Sequence, residues 1–175
     1  MFTGIVSYLG KVQSIKSNTL VFEVDKILAK KLKKGDSISI NGACLTIENK
    51  SVNSFGVHII GETRKRTNLG LLKSSDLVNL ELPMAVNGKF AGHIVQGHID
   101  GVGLVKSIKK ERNSCIFSFK VTKFISKYIV EKGSIAVNGV SLTVISVKAD
   151  SFTVGIIPYT WENTNFKILK TGDKV

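Results

Sequence analysis

Hydrophobic and polar residues alternate over several short stretches of this chain. Ser37–Ile40 reads SISI, and the apolar residues Phe55, Val57 and Ile59 recur at every second position. Because successive side chains of a β-strand point to opposite faces of the sheet, this alternation predicts strands that are buried on one face. The pattern is typical of a mostly β protein built from many short strands.

A helical spacing of apolar residues occurs once in each half of the chain. In the second half, Thr122 is a good N-cap and Gly133 a good end, and they bracket one apolar face. That face consists of Phe124, Ile125, Tyr128 and Ile129. In the first half, Asp25 and Gly35 bracket Ile27, Leu28 and Leu32 in the same way. We therefore expect one short helix per half.

The chain also repeats itself. Residues 37–78 align without gaps on residues 134–175, so that NGACLTI from Asn41 falls on NGVSLTV from Asn138. The aligned stretches share far more identities than unrelated sequences do. Self-similarity of this kind decides the architecture and is therefore considered before any motif.

The start of each copy aligns as well, residues 2–16 on residues 95–109. The repeat is much longer than a solenoid unit, so each copy is interpreted as a whole small domain, residues 1–91 and 92–175. Short strands with one capping helix fit an antiparallel barrel of about six strands, because closure removes exposed sheet edges. The sequence therefore predicts an all-β protein of two tandem homologous barrels.

Composition adds limits to this picture. The chain has 175 residues, 43% of them hydrophobic, 16 Gly against 2 Pro, and a formal net charge of +12. The lysines are scattered rather than aligned, and with only one Trp and three Tyr there are few residues for base stacking, so nucleic-acid binding is not expected. Two cysteines and no long apolar run predict a cytoplasmic protein without a disulfide framework or a membrane span.

Candidate chemistry lies where the two copies differ. Cys44 aligns with Ser141, and a thiol is more readily ionised than a hydroxyl, although a cysteine in a strand is more often a small buried hydrophobe. In AGHIVQGHIDG, His93 and His98 are five residues apart, which in a strand points them to opposite faces. Either histidine is a candidate acid or base, or a structural residue. We expect no metal site, and no dinucleotide or phosphate-binding glycine motif is present, so no cofactor is expected.

Four motifs together resemble the alpha-type riboflavin synthase family: MFTGIV, the duplicated N-G-x-x-L-T, ETRKRTNLG from Glu62, and AGHIVQGHIDG. The resemblance runs from Met1 to Val175. It implies two Greek-key barrels that each bind one 6,7-dimethyl-8-ribityllumazine, and an active site between the first barrel of one subunit and the second of another. It also implies a homotrimer that makes riboflavin and 5-amino-6-ribitylaminouracil from two lumazines without a cofactor.

The resemblance also assigns site residues. The first pocket would use Gly4, Ile5, Val6, Cys44, Leu45, Thr46, His58, Ile59, Ile60, Gly61, Glu62 and Thr63. The second would use Gly97, His98, Ile99, Lys132, Ser141, Leu142, Thr143, Ile157, Pro158, Tyr159, Thr160 and Trp161. Catalytic roles would fall to Cys44, His98 and Ser141, with Phe2 and Thr143 shaping the site. Tyr159 stands where relatives often carry Glu.

Two alternatives keep part of this interpretation. A lumazine-binding accessory protein would have the same barrels without catalysis. A basic barrel that binds RNA would bind no lumazine and catalyse no reaction. The alignment also predicts that the second barrel lacks its last strand, because the first copy continues past Val78 whereas Val175 is the corresponding last residue. Family members continue there into a strand with a catalytic aspartate and a helix through which subunits associate. We therefore expect these 175 residues to belong to a longer protein.

Overall fold

A computed structural model describes the whole chain, residues Met1–Val175. Six antiparallel strands of the first half form a closed barrel in the Greek-key order β1-β2-β5-β4-β3-β6. They are β1 Tyr8–Lys16, β2 Thr19–Glu23, β3 Ser37–Ile40, β4 Ala43–Lys50, β5 Ser54–His58 and β6 Leu77–Glu81. The barrel closes where β6 pairs with both β1 and β3, which leaves no free edge.

The second half repeats this order with one strand fewer. Its five strands form an open sheet in the order β7-β8-β11-β10-β9. They are β7 Leu104–Glu111, β8 Ser114–Lys120, β9 Ser134–Val137, β10 Val140–Lys148 and β11 Ser151–Ile156. Lys174 makes an isolated bridge to Leu104 at the place where β6 would pair, and β9 has no neighbour on its outer side. The predicted all-β fold is confirmed, and the second sheet has five strands where the first has six.

Four short helices connect the strands: α1 Lys26–Lys31, α2 Gly61–Arg66, α3 Lys123–Ser126 and α4 Pro158–Asn163. The predicted caps are confirmed, because the Asp25 carboxylate accepts from the Leu28 N–H and the Thr122 hydroxyl from the Ile125 N–H. The predicted helix ends at Gly35 and Gly133 are wrong, because α1 ends at Lys31 and α3 at Ser126. After Ser126 the hydrogen bonds span three residues, from Tyr128 to Ile125 for example, so the apolar face continues as tight turns.

Each half has its own hydrophobic core. Eighteen buried residues fill the first barrel and twelve fill the second sheet. None of the helices has the length and apolarity needed to span a bilayer. The exposed segment 83–91 lies between the halves. It supports the boundary between residues 91 and 92, which stays a prediction.

Buried asparagines join the two halves. The Asn79 side chain donates to the backbone oxygen of Asn138 at 2.8 Å and to the side-chain oxygen of Asn165 at 2.9 Å. The Asn165 N–H donates back to the Asn79 side chain at 2.7 Å, and the Asn41 side chain accepts from the Asn79 N–H at 2.9 Å. Because every buried side-chain polar atom has a partner, this seam costs no unpaired group and fixes how the halves sit together.

Candidate functional site

The repeated N-G phrase forms two tight turns that meet between the halves. Asn41 and Gly42 connect β3 to β4, and Asn138 and Gly139 connect β9 to β10, all four with positive φ between 47° and 88°. Asn-Gly favours such two-residue hairpins because both positions need the left-handed region. A Cβ atom on Gly139 would lie 2.7 Å from the backbone nitrogen of Gly42. The phrase is therefore needed twice, once for each turn and for their mutual contact.

Next to these turns, the leading segments of the two halves pair with each other. These segments are residues 2–6 of the first half and residues 95–99 of the second. The Phe2 N–H donates to the Val95 carbonyl at 2.8 Å, and the Val95 N–H donates to the Phe2 carbonyl at 3.0 Å. Phe2 and Val95 are equivalent positions of the repeat, so the bridge lies on the approximate twofold axis that relates the halves.

Each leading segment then continues onto the other half. The Ser141 N–H donates to the Gly4 carbonyl at 2.7 Å, and the Cys44 N–H donates to the Gly97 carbonyl at 2.9 Å. Gly4 and Gly97 have φ of 77° and 88°, and a Cβ on either would lie within 2.7 Å of the facing Ser141 or Cys44 Cβ. Only glycine lets the backbone approach this closely.

The apolar neighbours follow the same exchange. Val6 is part of the second half's core, and Ile99 packs against the core of the first. The pocket grouping taken from the resemblance is therefore corrected in one respect. Residues Gly4–Val6 lie with Ser141, and residues Gly97–Ile99 lie with Cys44, because the segments cross the axis before they reach a sheet.

Strand pairing brings the remaining predicted residues to the same places. Ile47 pairs with Val57, so the start of β4 lies beside the end of β5, where residues 58–63 begin. Val144 pairs with Val154, which places residues 157–161 beside the start of β10 in the same way. Leu45, Ile59 and Leu142 are buried, whereas the exposed predicted residues are Ile5, Thr46, His58, Ile60, Gly61, Glu62, His98, Lys132, Thr143, Ile157, Pro158 and Tyr159. Each half thus has one composite site, closed by the other half's leading segment.

Exposed charges lie beside these sites. Arg66 donates a hydrogen bond to Glu62 one helical turn away, and this contact lowers the pKa of Glu62 and raises the pKa of Arg66. No group of three or more His, Cys, Asp or Glu side chains is arranged to hold a metal ion.

A buried carboxylate anchors the first leading segment. Glu81, at the end of β6, accepts from the Thr3 N–H at 2.7 Å, the Thr3 hydroxyl at 2.8 Å and the Gly4 N–H at 3.0 Å. Glu81 is only 6% exposed, and no Lys or Arg pairs with it. The carboxylate is therefore satisfied by the segment that it holds.

We expect Glu81→Gln to lower the free energy of unfolding by about 1–3 kcal/mol, because an amide turns an NH₂ group toward N–H donors that need an acceptor. The matched control is Glu23→Gln on β2, an exposed residue whose side chain has no hydrogen bond in the structure; it should stay within about 0.5 kcal/mol of the original chain. Urea unfolding of the three proteins measures both values. Equal losses in the two variants would contradict this role of Glu81.

The structure distinguishes His93 from His98, which the sequence left as equal candidates for an acid or base. The His93 Nδ1 lies 2.6 Å from the Ser141 hydroxyl, and the His93 N–H donates to the Thr3 carbonyl at 3.0 Å. Partial burial lowers the pKa of His93 below its usual value, an effect that the negative charge of Glu81 opposes. His93 is therefore mostly neutral at neutral pH.

A cleft of about 550 Å³ opens beside the second half. Its lining includes His93, His98 and the aromatic side chains of Phe119, Phe124 and Tyr128. Ser141, Thr143 and Cys44 do not line this cleft. Of the predicted catalytic residues, the structure brings only His98 to it.

The fold and its paired sites define a protein of two tandem lumazine-binding domains. The family model described as Lumazine binding domain matches residues 3–83 and again residues 96–175. The riboflavin synthase of Actinobacillus pleuropneumoniae is 45% identical, over all of this chain and 83% of that protein. The enzyme of the same name from Bacillus subtilis is 40% identical over the same shares. The chain belongs to the riboflavin synthase family.

Solved structures agree with this fold. LumP in complex with riboflavin superimposes with a TM-score of 0.93 at 24% identity, covering 100% of this chain and 97% of that one. LumP in complex with flavin mononucleotide gives a TM-score of 0.87 at 25% identity over the same shares. These structures show the shared fold, and the family model and the two relatives confirm the resemblance found in the sequence.

Proposed function

We propose that this protein is a riboflavin synthase, which converts two molecules of 6,7-dimethyl-8-ribityllumazine into riboflavin and 5-amino-6-ribitylaminouracil. The pair of equivalent composite sites in one chain carries the proposal, because it suits a reaction between two copies of one substrate. The identity of 34% to 45% to proteins named riboflavin synthase supports it.

The proposed reaction moves a four-carbon unit from a donor lumazine to an acceptor lumazine, so the enzyme would be a transferase. The two products together contain all the atoms of the two substrates. The overall reaction therefore needs no redox partner and no further reactant. Holding two flat rings face to face removes much of the entropy cost of their encounter.

Two steps need help from the protein. A methyl group on the acceptor ring must lose a proton, and the donor ring must be attacked at an electrophilic carbon. We assign these steps to Cys44, His98 and Ser141, with Phe2 and Thr143 shaping the sites. The Cys44 thiol is the better nucleophile, since a hydroxyl ionises far less readily.

We further propose that the reacting pair of sites forms between subunits of a homotrimer, as the resemblance implies. Apolar side chains at the edges of the two sites support an interface there. Ile60, Ile157 and Tyr159 are 62%, 58% and 68% exposed. Such residues are usually covered when they occur together. A cytoplasmic location, in keeping with the two free cysteines, is part of the same proposal.

The test combines turnover with ligand counting. We expect the purified protein to form riboflavin from the ribityllumazine, as followed by absorbance. Calorimetry with a ribityllumazine that carries oxygen in place of the C7 methyl, and so cannot react, should give two sites per chain. One site without turnover would instead identify a lumazine-binding accessory protein, and salt-dependent binding of RNA with neither property would identify a nucleic-acid protein.

A further inference from the structure

His93 makes the two composite sites chemically different. Ser141 has an imidazole at 2.6 Å, whereas the aligned Cys44 makes no side-chain hydrogen bond and contacts the other segment only through its N–H to Gly97. Ser141 therefore has an imidazole as hydrogen-bond partner, whereas the Cys44 thiol has none.

The position of His93 is fixed from two directions. Its N–H is held by the Thr3 carbonyl, and Thr3 is itself held by the buried Glu81 carboxylate. A Cβ on the preceding Gly92 would lie 2.0 Å from the Thr3 oxygen, so the backbone is pressed against that segment. The Ser141 backbone is tied to Gly4, the next residue of the same segment. Both members of the His93–Ser141 pair are thus anchored to one short piece of chain.

Hydrogen-bond accounting gives the direction of their contact. The Ser141 hydroxyl has no other partner in the structure, so if Nδ1 carried the hydrogen, the serine proton would have no acceptor within the chain. If the ring carries its hydrogen on Nε2, Nδ1 accepts from Ser141 and both groups are satisfied. The oxygen lone pairs of Ser141 then point away from the histidine.

We propose that His93 is the positioning residue that makes Ser141 the proton acceptor of the second-half site. A proton leaves the C7 methyl group of the lumazine bound there and goes to the Ser141 oxygen, while the Ser141 proton goes to His93 Nδ1. The electron pair of the broken C–H bond stays on the lumazine, delocalised into its ring, and His93 becomes an imidazolium beside the Glu81 charge. This inference rests on the proposed function and assigns the acceptor lumazine to the Ser141 site.

The test follows the methyl group itself rather than the product. In D₂O, the protein should speed exchange of the C7 methyl protons of the ribityllumazine, as read from the loss of their NMR signal. His93→Gln keeps an oxygen that can accept from Ser141 but cannot take up a proton. We expect it to slow exchange about 100-fold. Affinity for the unreactive 7-oxo analogue should change less than about threefold.

Two further variants separate this role from a structural one. His93→Ala opens space toward the neighbouring cleft, so added imidazole should restore part of its exchange rate. If the pair acts as a unit, His93→Gln should slow a Ser141→Ala protein little further, whereas independent roles would multiply the two losses.

The outcomes distinguish this inference from the proposed function. Riboflavin formation with exchange unaffected in His93→Gln would overturn the role of His93 and leave the synthase activity standing. Exchange that depends on His93 but yields no riboflavin would support proton transfer through Ser141 to His93 and reject the synthase activity. Absence of both exchange and riboflavin in the original protein would overturn both. If the two losses of exchange rate multiplied in the double variant, or if imidazole restored no exchange in His93→Ala, proton transfer from Ser141 to His93 would also be rejected.

Discussion

Gly139→Ala should destabilise the protein by about 3 kcal/mol or more, one of the two largest effects that we expect from a single substitution. Gly139 has a φ of 77°, and its Cβ would lie 2.7 Å from the Gly42 nitrogen and 3.1 Å from the Gly42 Cα. Left-handed backbone costs a non-glycine residue about 1–2 kcal/mol. Overpacking typically adds about 1–3 kcal/mol. Backbone atoms cannot rotate away as a side chain can, so the two turns must separate.

Gly35→Ala is the matched control, because it isolates the backbone cost. Gly35 has a φ of 92° and no atom within 4 Å of its hypothetical Cβ. It should lose only the contribution of about 1–2 kcal/mol from left-handed backbone. Urea unfolding at one temperature gives both values. If the two variants lost the same free energy, the contact between the turns would not be a tight one.

Phe2→Ala should have the other large effect, because it should disturb the backbone contacts of both sites at once. Phe2 is 1% exposed, and its backbone forms the bridge to Val95 on the axis. Removing a buried phenylalanine ring costs about 3–5 kcal/mol. Because the segment lies outside the barrel strands and makes only an isolated bridge, this loss should release it locally rather than unfold the chain. Gly4 would then leave Ser141, and Val95 would lose its partner two residues before Gly97.

Hydrogen exchange reports this release without reference to activity. The Val95 and His93 amides donate to the Phe2 and Thr3 carbonyls, so both should lose protection in Phe2→Ala while the amides of the barrel strands keep theirs. Turnover should fall at least about 100-fold, as expected when catalytic groups lose their positions. Phe2→Leu, which keeps most of the volume, is the control and should preserve both. Unchanged protection of Val95 in Phe2→Ala would contradict the prediction.

Local signals in the sequence predicted most of the fold. The Asn-Gly pairs predict tight turns because few other residues adopt positive φ there, and Asp25 and Thr122 predict helix starts because their side chains accept from the first free N–H groups. The repeat predicted a second sheet built like the first. These signals depend on residues close together in the chain or on comparison of two copies.

The exchange of segments could not be predicted in this way. Val6 and Ile99 are apolar and would fill either core equally well, so nothing in the residues says which one they enter. His93 and Ser141 are 48 residues apart, and their contact depends on where the leading segment crosses the axis. The spacing of the two histidines predicts only that they face different directions. The geometry between distant segments was needed to show that His93 is the histidine that contacts Ser141.

The crossing of the leading segments also limits how this protein can be divided or recombined. A duplicated chain is normally a source of interchangeable modules. A graft of residues 92–175 into another protein would, however, leave Val6 behind, and Val6 is part of the core of the second half. The same graft would carry away Gly97, which closes the site around Cys44. Neither half is therefore transplantable alone, and a chimaera between relatives should exchange residues 2–6 together with the second half but keep residues 97–99 with the first.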